Sequence, residues 1–539
     1  MKLTRTIGCM ILLSGMATGL SPAQIEGLGT IDFPTSGSPQ AKELFLRGAL
    51  LLHSFEYDDA REAFQQAQKM DPDFGMAYWG EAMTHNRPLW VQLDLNDARA
   101  ALDRIGPTSE ARRTKFPTQR EQGYLRAIEV LYGEGNKVSR DLAYAESMSQ
   151  LAEEYPDDLN ASSFYALSLL GTGQGERDFA IYMKAASIAE EIFSKNPDHP
   201  GAAHYLIHSY DDPIHAPLGL RAARRYARIA PAASHAQHMP SHIFVALGMW
   251  DDVVKANQAS WMAAEERIER KRLTLENRAF HAYRWLQYGY LQLGRFKEAL
   301  KTLSVMQEDT QKSGGSPRTR DNLLFMRAVY IIETEKWDDD AVRIAIDTSK
   351  LALRSAATDF LTRGLAAVRT GNLSAAQEIL EEFKTRREST KTPARRNHEL
   401  AVGVMEKELE ALVLLAAGKA ERAVQLMEEA TAEEERMSLE FGPPIPVKPS
   451  HELFGEILLE LDRPQEAQKH FELALARTPR RVLTLLGLSR AAARSGNQEK
   501  AQQIHHQLGK IWHGADQDLP LLREVTKSEG TSGLGVARR

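Results

Sequence analysis

The chain has 539 residues, 43% of them hydrophobic and 26% charged, a composition that excludes a largely disordered protein. A formal net charge of −6 argues against a nucleic-acid partner, which needs a basic face. The single cysteine, Cys9, excludes internal disulfides.

The first 23 residues read as a secretory signal. Lys2 and Arg5 precede a short apolar run, and Ser21, Pro22 and Ala23 supply small residues for cleavage. Removal of residues 1–23 takes Cys9 with it, so thiolates are excluded as metal ligands or nucleophiles in the mature chain. The expectation is an exported protein, periplasmic or extracellular. No other segment approaches 18 uninterrupted apolar residues, so no membrane span is expected.

Residues 41–74 carry a spaced pattern. Counting Ala41 as position 1, Leu44 is at 4, Gly48 at 8, Leu51 at 11, Ala60 at 20, Phe64 at 24, Ala67 at 27 and Pro72 at 32. Small residues at 8 and 20 let two antiparallel helices approach, and large apolar residues fill the space between them. Proline at 32 stops the second helix. The pattern resembles the tetratricopeptide repeat. It recurs at 448–481 (Gly455, Ala467, Phe471, Pro479) and 482–515 (Gly496, Ala501), with further copies at 200–266, 280–313, 357–390 and 404–437. Residues 120–158 and 160–197 are degenerate copies, and another begins near Asp321 with Trp337 before its second helix. The resemblance covers about residues 41–515 and implies an all-α, tetratricopeptide-type α-solenoid, with domain bounds 24–529; the last ten residues, 530–539, read as a disordered tail. Stretches 307–320 and 386–397 read as polar loops, and 441–449 as an extended proline-rich connection. No period-2 alternation points to a sheet.

Seven of the sixteen histidines fall within residues 199–242. His204 and His208 are spaced i, i+4 on one helical face, and His238 and His242 repeat that spacing. Pro240 interrupts the second pair, so that helix either kinks there or starts there. In the repeat register His204 and His238 are both position 5, His208 and His242 both position 9, His235 and His281 both position 2, and His199 position 34. Asp211 and Asp212 fall at 12 and 13. The family resemblance implies that these positions face the concave groove.

Imidazoles from neighbouring helices 8–10 Å apart can reach one point. A histidine-rich, thiolate-free set suits Zn, Cu or Fe and argues against Ca or Mg. His204, His208, His238 and His242 are the core ligand candidates, with His235, His281, His199 and Asp212 as further ligands or their supports. One or two metals are both compatible with the spacing. A bound metal would serve storage, sensing or catalysis; a polar lining without metal, a binding surface for an anionic partner, and a groove that takes an extended or helical peptide from a protein partner are the competing readings. His215 reads as capping or surface, His53 as structural, Trp285 as packing, and Trp79 and Trp90 as core. The block from His204 to Phe244 also resembles a segment of bacterial exported tetratricopeptide proteins, with no reaction attached. No Gly-rich phosphate loop, HExxH or GxSxG is present.

Overall fold

The computed structural model describes residues 27–173, 176–391, 395–439 and 442–525. The signal reading of residues 1–23 and the tail 530–539 lie outside the described residues. The described chain is an α-solenoid of 25 α-helices. The exception is a two-residue antiparallel pairing of Asn86–Arg87 with Gln92–Leu93.

Consecutive helices pack on each other along the array. In the first repeat the helices are Pro39–His53 and Tyr57–Met70. The ring of Phe64 lies between two glycines: a Cβ on Gly48 would meet it at 2.7 Å and one on Gly80 at 2.3 Å. The same device recurs near the C-terminus, where Phe471 sits against Gly455 and Gly487. Side-chain caps start many helices; Thr118 and Glu121 form a reciprocal capping box on Gln119–Leu131.

Several turns between paired helices use one left-handed residue. Gly248, Gly294, Gly371, Gly418 and Gly496 fill it in later repeats, all with positive φ. In the first repeat the residue is Phe55, at φ 57°. A bulky residue there is strained, at about 1–2 kcal/mol.

Two expectations change. The polar stretch 307–320 is mostly helical, because Phe296–Lys312 and Pro317–Thr334 leave only four residues between them. After Trp337 no second α-helix forms; only a single 3₁₀ turn, Asp340–Arg343, appears before Leu353. The Asp339 side chain accepts the Ala341 N–H and caps that short turn.

The array closes on itself. Asp59 of the first repeat is clamped by Arg267 and Lys271 of the helix Trp250–Lys271. At the other end, the buried Arg481 pairs with Glu333 and donates to Tyr288, and Trp512 donates to the backbone of Gln292. Arg395 reaches the carbonyl of Trp90. None of the described helices is long and apolar enough to cross a membrane.

Candidate metal centre

The helix Pro200–Tyr210 is the axis of the site. All eleven of its residues are buried. His204 and His208 lie one turn apart on it, and the chain leaves helical geometry at Asp211, with φ −79° and ψ 49°.

The second histidine segment divides into Ser234–His238 and Pro240–Ala246. Met239 between them keeps helical angles, φ −53° and ψ −37°. Pro240 therefore removes a backbone donor without redirecting the chain, and His238 and His242 stay adjacent. Their Nε2 atoms are 3.2 Å apart. His281 enters from the start of Phe280–Gln292, and its ring packs on His238.

Two histidine triads result. Candidate ligand atoms of His204, His208 and His235 lie within 4.8 Å of one another, as do those of His238, His242 and His281. A third grouping joins His208, Asp211 and His242, and links the two triads.

The surrounding hydrogen bonds fix which nitrogen faces inward. Nδ1 of His204 donates to the carbonyl of His53 at 2.7 Å. Nδ1 of His238 donates to Oδ1 of Asn257 at 2.6 Å; the Asn257 amide donates to Val253, which fixes its orientation. Nδ1 of His242 donates to Asp211 at 3.0 Å. Metal-binding imidazoles are commonly oriented by bonds of this kind.

Burial favours the neutral form of His204, His235, His238, His242 and His281. Burial pushes the His242 pKa down to about 4 against the opposing pull of Asp211, and those of His204 and His238 well below the ordinary value. Burial favours the protonated form of Asp211, but Arg177 and the bonds from His208 and His242 hold its pKa well below the usual carboxylate range. The site thus offers neutral imidazoles beside one fixed anion.

Sequence reasoning placed these histidines on an open groove. Instead His204, His208, His238 and His242 are buried, with at most 4% exposure. The first repeat folds over them. The Phe55 ring lies 4.2 Å from that of His204 and 5.5 Å from that of His235, and Glu56 accepts the backbone N–H of His235. Trp285 covers the other triad, 4.6 Å from His242.

His199 and Asp212 stand outside both triads. His199 caps its helix by accepting the Ala202 N–H at Nδ1. Asp212 builds the next turn, accepting from the backbones of Ile214 and His215 and from the His215 ring. Sequence reasoning missed the role of Asn257 and the contribution of the His53 carbonyl. Trp90, read as core, is half-buried and lines a cavity.

That cavity, of about 730 Å³, opens beside His208, Asp211 and His281. A second, of about 190 Å³, meets His235, His238 and His281 from the other side.

Residues 41–74 match the family model of the tetratricopeptide repeat. The chain carries a tetratricopeptide repeat. No curated protein matches this repeat protein significantly. Among solved structures, yeast Tom70 is 13% identical over 92% of this chain and 96% of that one, with a TM-score of 0.29. A human IFIT1 dimer with m7Gppp-AAAA is 12% identical, covering 89% and 91%, at 0.36. The APC/C hetero-tetramer Cut9-Hcn1 is 10% identical, covering 92% and 78%, at 0.32. Scores this low say nothing about what the helical array here does.

Proposed function

We propose that this protein is an exported tetratricopeptide-type solenoid that binds transition metal in its histidine centre, one ion to each triad. The observation that carries this reading is the His238–His242 pair. Both rings donate at Nδ1 to oxygen acceptors, so in their neutral forms both Nε2 atoms present lone pairs to each other at 3.2 Å. Two like lone pairs at that distance repel. Burial opposes the proton that would otherwise bridge them. Two imidazoles on one tetrahedral metal at 2.0–2.1 Å have their nitrogens about 3.3 Å apart. A metal resolves the conflict at the spacing the fold provides.

Zn, Cu and Fe all suit neutral imidazole. Among storage, sensing and catalysis, the arrangement favours catalysis. Three protein ligands leave a coordination position for water or substrate, and the adjoining cavity has substrate dimensions.

The test is metal content of purified, untagged protein after supplementation with Zn. About two equivalents are expected, falling to about one in His238→Gln with His242→Gln. His513→Ala, whose ring is largely exposed, is the control. Wild-type protein that holds no metal, or a double variant with full stoichiometry, would overturn the reading in favour of an interaction scaffold. Export is read from residues 1–23, and an intact mass retaining Met1 would count against it.

A further inference from the structure

The 730 Å³ cavity has a character unlike the rest of this acidic chain. Among the described residues lining it are five arginines, Arg177, Arg284, Arg354, Arg395 and Arg396, against two carboxylates, Glu176 and Asp211. Arg177 is spent on Asp211 and Asp212. Arg396 stands 3.8 Å from Glu176 at the exposed rim.

Arg284 and Arg354 are different. The Arg284 guanidinium lies over the Phe325 ring at 4.1 Å, and its carboxylate neighbour, Asp321, is 3.8 Å away and engaged by Ser355. Arg354 donates to Nε2 of His398 at 3.1 Å, a neutral acceptor. Two guanidinium charges thus line one space, and among the described residues the carboxylate paired with either is Asp321, which Ser355 also engages. Burial brings the Arg284 pKa down to about 10 against the pull of Asp321, with a smaller push from the charge of Arg354. A fold does not gain stability from such a pair, whereas an incoming anion would be held by both. Trp90, Trp285, Phe325 and Ile445 supply apolar wall.

We infer that this cavity binds a small molecule carrying an oxyanion, a carboxylate or a phosphate, on an apolar body. Arg284 and Arg354 hold the anion, and the aromatic wall holds the body. His208, Asp211 and His281 line the same space, so the bound molecule lies beside the histidine centre. The inference names a ligand class for the proposed metal site, but it stands on other residues.

The probes are phenylacetate and inorganic phosphate, with phenylacetamide as the neutral control. Binding is followed by calorimetry and by tryptophan fluorescence on chelator-stripped and Zn-loaded protein. Both anions are expected to bind stripped protein with millimolar or tighter Kd, weakened by salt, and phenylacetamide about tenfold less well. Arg284→Gln with Arg354→Gln should weaken phenylacetate by about tenfold or more, with the ligand-free melting temperature measured alongside to show that the variant folds. If that variant does not fold, Arg354→Gln alone carries the test, with a loss of about threefold or more. No anion binding at about 10 mM in either form, equal binding of acid and amide, or affinity unchanged by the substitutions would overturn the inference. If phosphate alone binds, the oxyanion site stands and the apolar body is discarded. Anion binding by protein that never takes up metal sinks the metal reading alone, and metal uptake without anion binding sinks this one alone.

Discussion

Asp211 accepts a hydrogen bond from Nδ1 of His242 at 3.0 Å, and the same oxygen faces Nδ1 of His208 at 3.5 Å. One carboxylate therefore orients a ring in each triad. Asp211→Asn should weaken metal binding at both, by about 10–100-fold, as loss of such an orienting partner typically does. It also leaves Asp212 as the one carboxylate paired with the buried Arg177, so a stability loss of about 3 kcal/mol is expected in the metal-free protein. Competition with a chromogenic chelator measures the first effect and urea denaturation the second. Unchanged affinity in either triad would contradict the shared role.

The pH dependence of the metal-free protein follows from its buried rings. Burial takes His53 down to about 3, against a weaker opposing bond from Asn160, and His242 down to about 4. The unfolded chain takes up these protons near pH 6.5, while the folded chain resists them. The unfolded state thus binds more protons below about pH 6.5, and stability falls progressively from there toward pH 3. Above pH 6.5 these groups contribute no slope. Melting temperatures of chelated protein between pH 7.5 and about 4 check this, and a flat profile would contradict it.

Phe55 trades backbone comfort for a cover on the histidines. Phe55→Gly would remove strain of about 1–2 kcal/mol but delete a buried ring worth about 3 kcal/mol or more. The expected result is a modest net loss of stability with faster metal release to chelator. The same substitution at Asp462, the equivalent turn at φ 56°, should leave release unchanged. Equal release rates from both variants would separate Phe55 from the site.

The glycine–phenylalanine contacts set the helix spacing. Gly80→Ala and Gly487→Ala place a methyl about 2.3–2.4 Å from a core ring. Each should cost about 1–3 kcal/mol despite the better helix propensity of alanine. Phe64→Leu in the Gly80→Ala background should recover part of that loss, and thermal denaturation would show it.

Much of this was legible in sequence. The helix-pair pattern around Gly48 and Phe64 is local, and so is the i, i+4 spacing of His204 and His208. The choice between Asp211 and Asp212 was not. They are neighbours, and the helix ends at Tyr210, so the register that places the histidines no longer applies one residue later. Burial of the histidines was also hidden, because it depends on the first repeat folding back over residues far along the chain. The arginines of the cavity come from separate stretches, and only the curvature of the whole array brings them together.

The closure of the array changes how the molecule as a whole must behave. In an open repeat protein each unit leans only on its neighbours, so stability accumulates unit by unit and ends can be trimmed at modest cost. Here Asp59 is fastened to Arg267, and Arg481 to Glu333. The outermost repeats are thereby structural keystones of the middle. Losing either end would expose the interior, and unfolding would proceed as one event spanning the chain rather than as fraying from its tips.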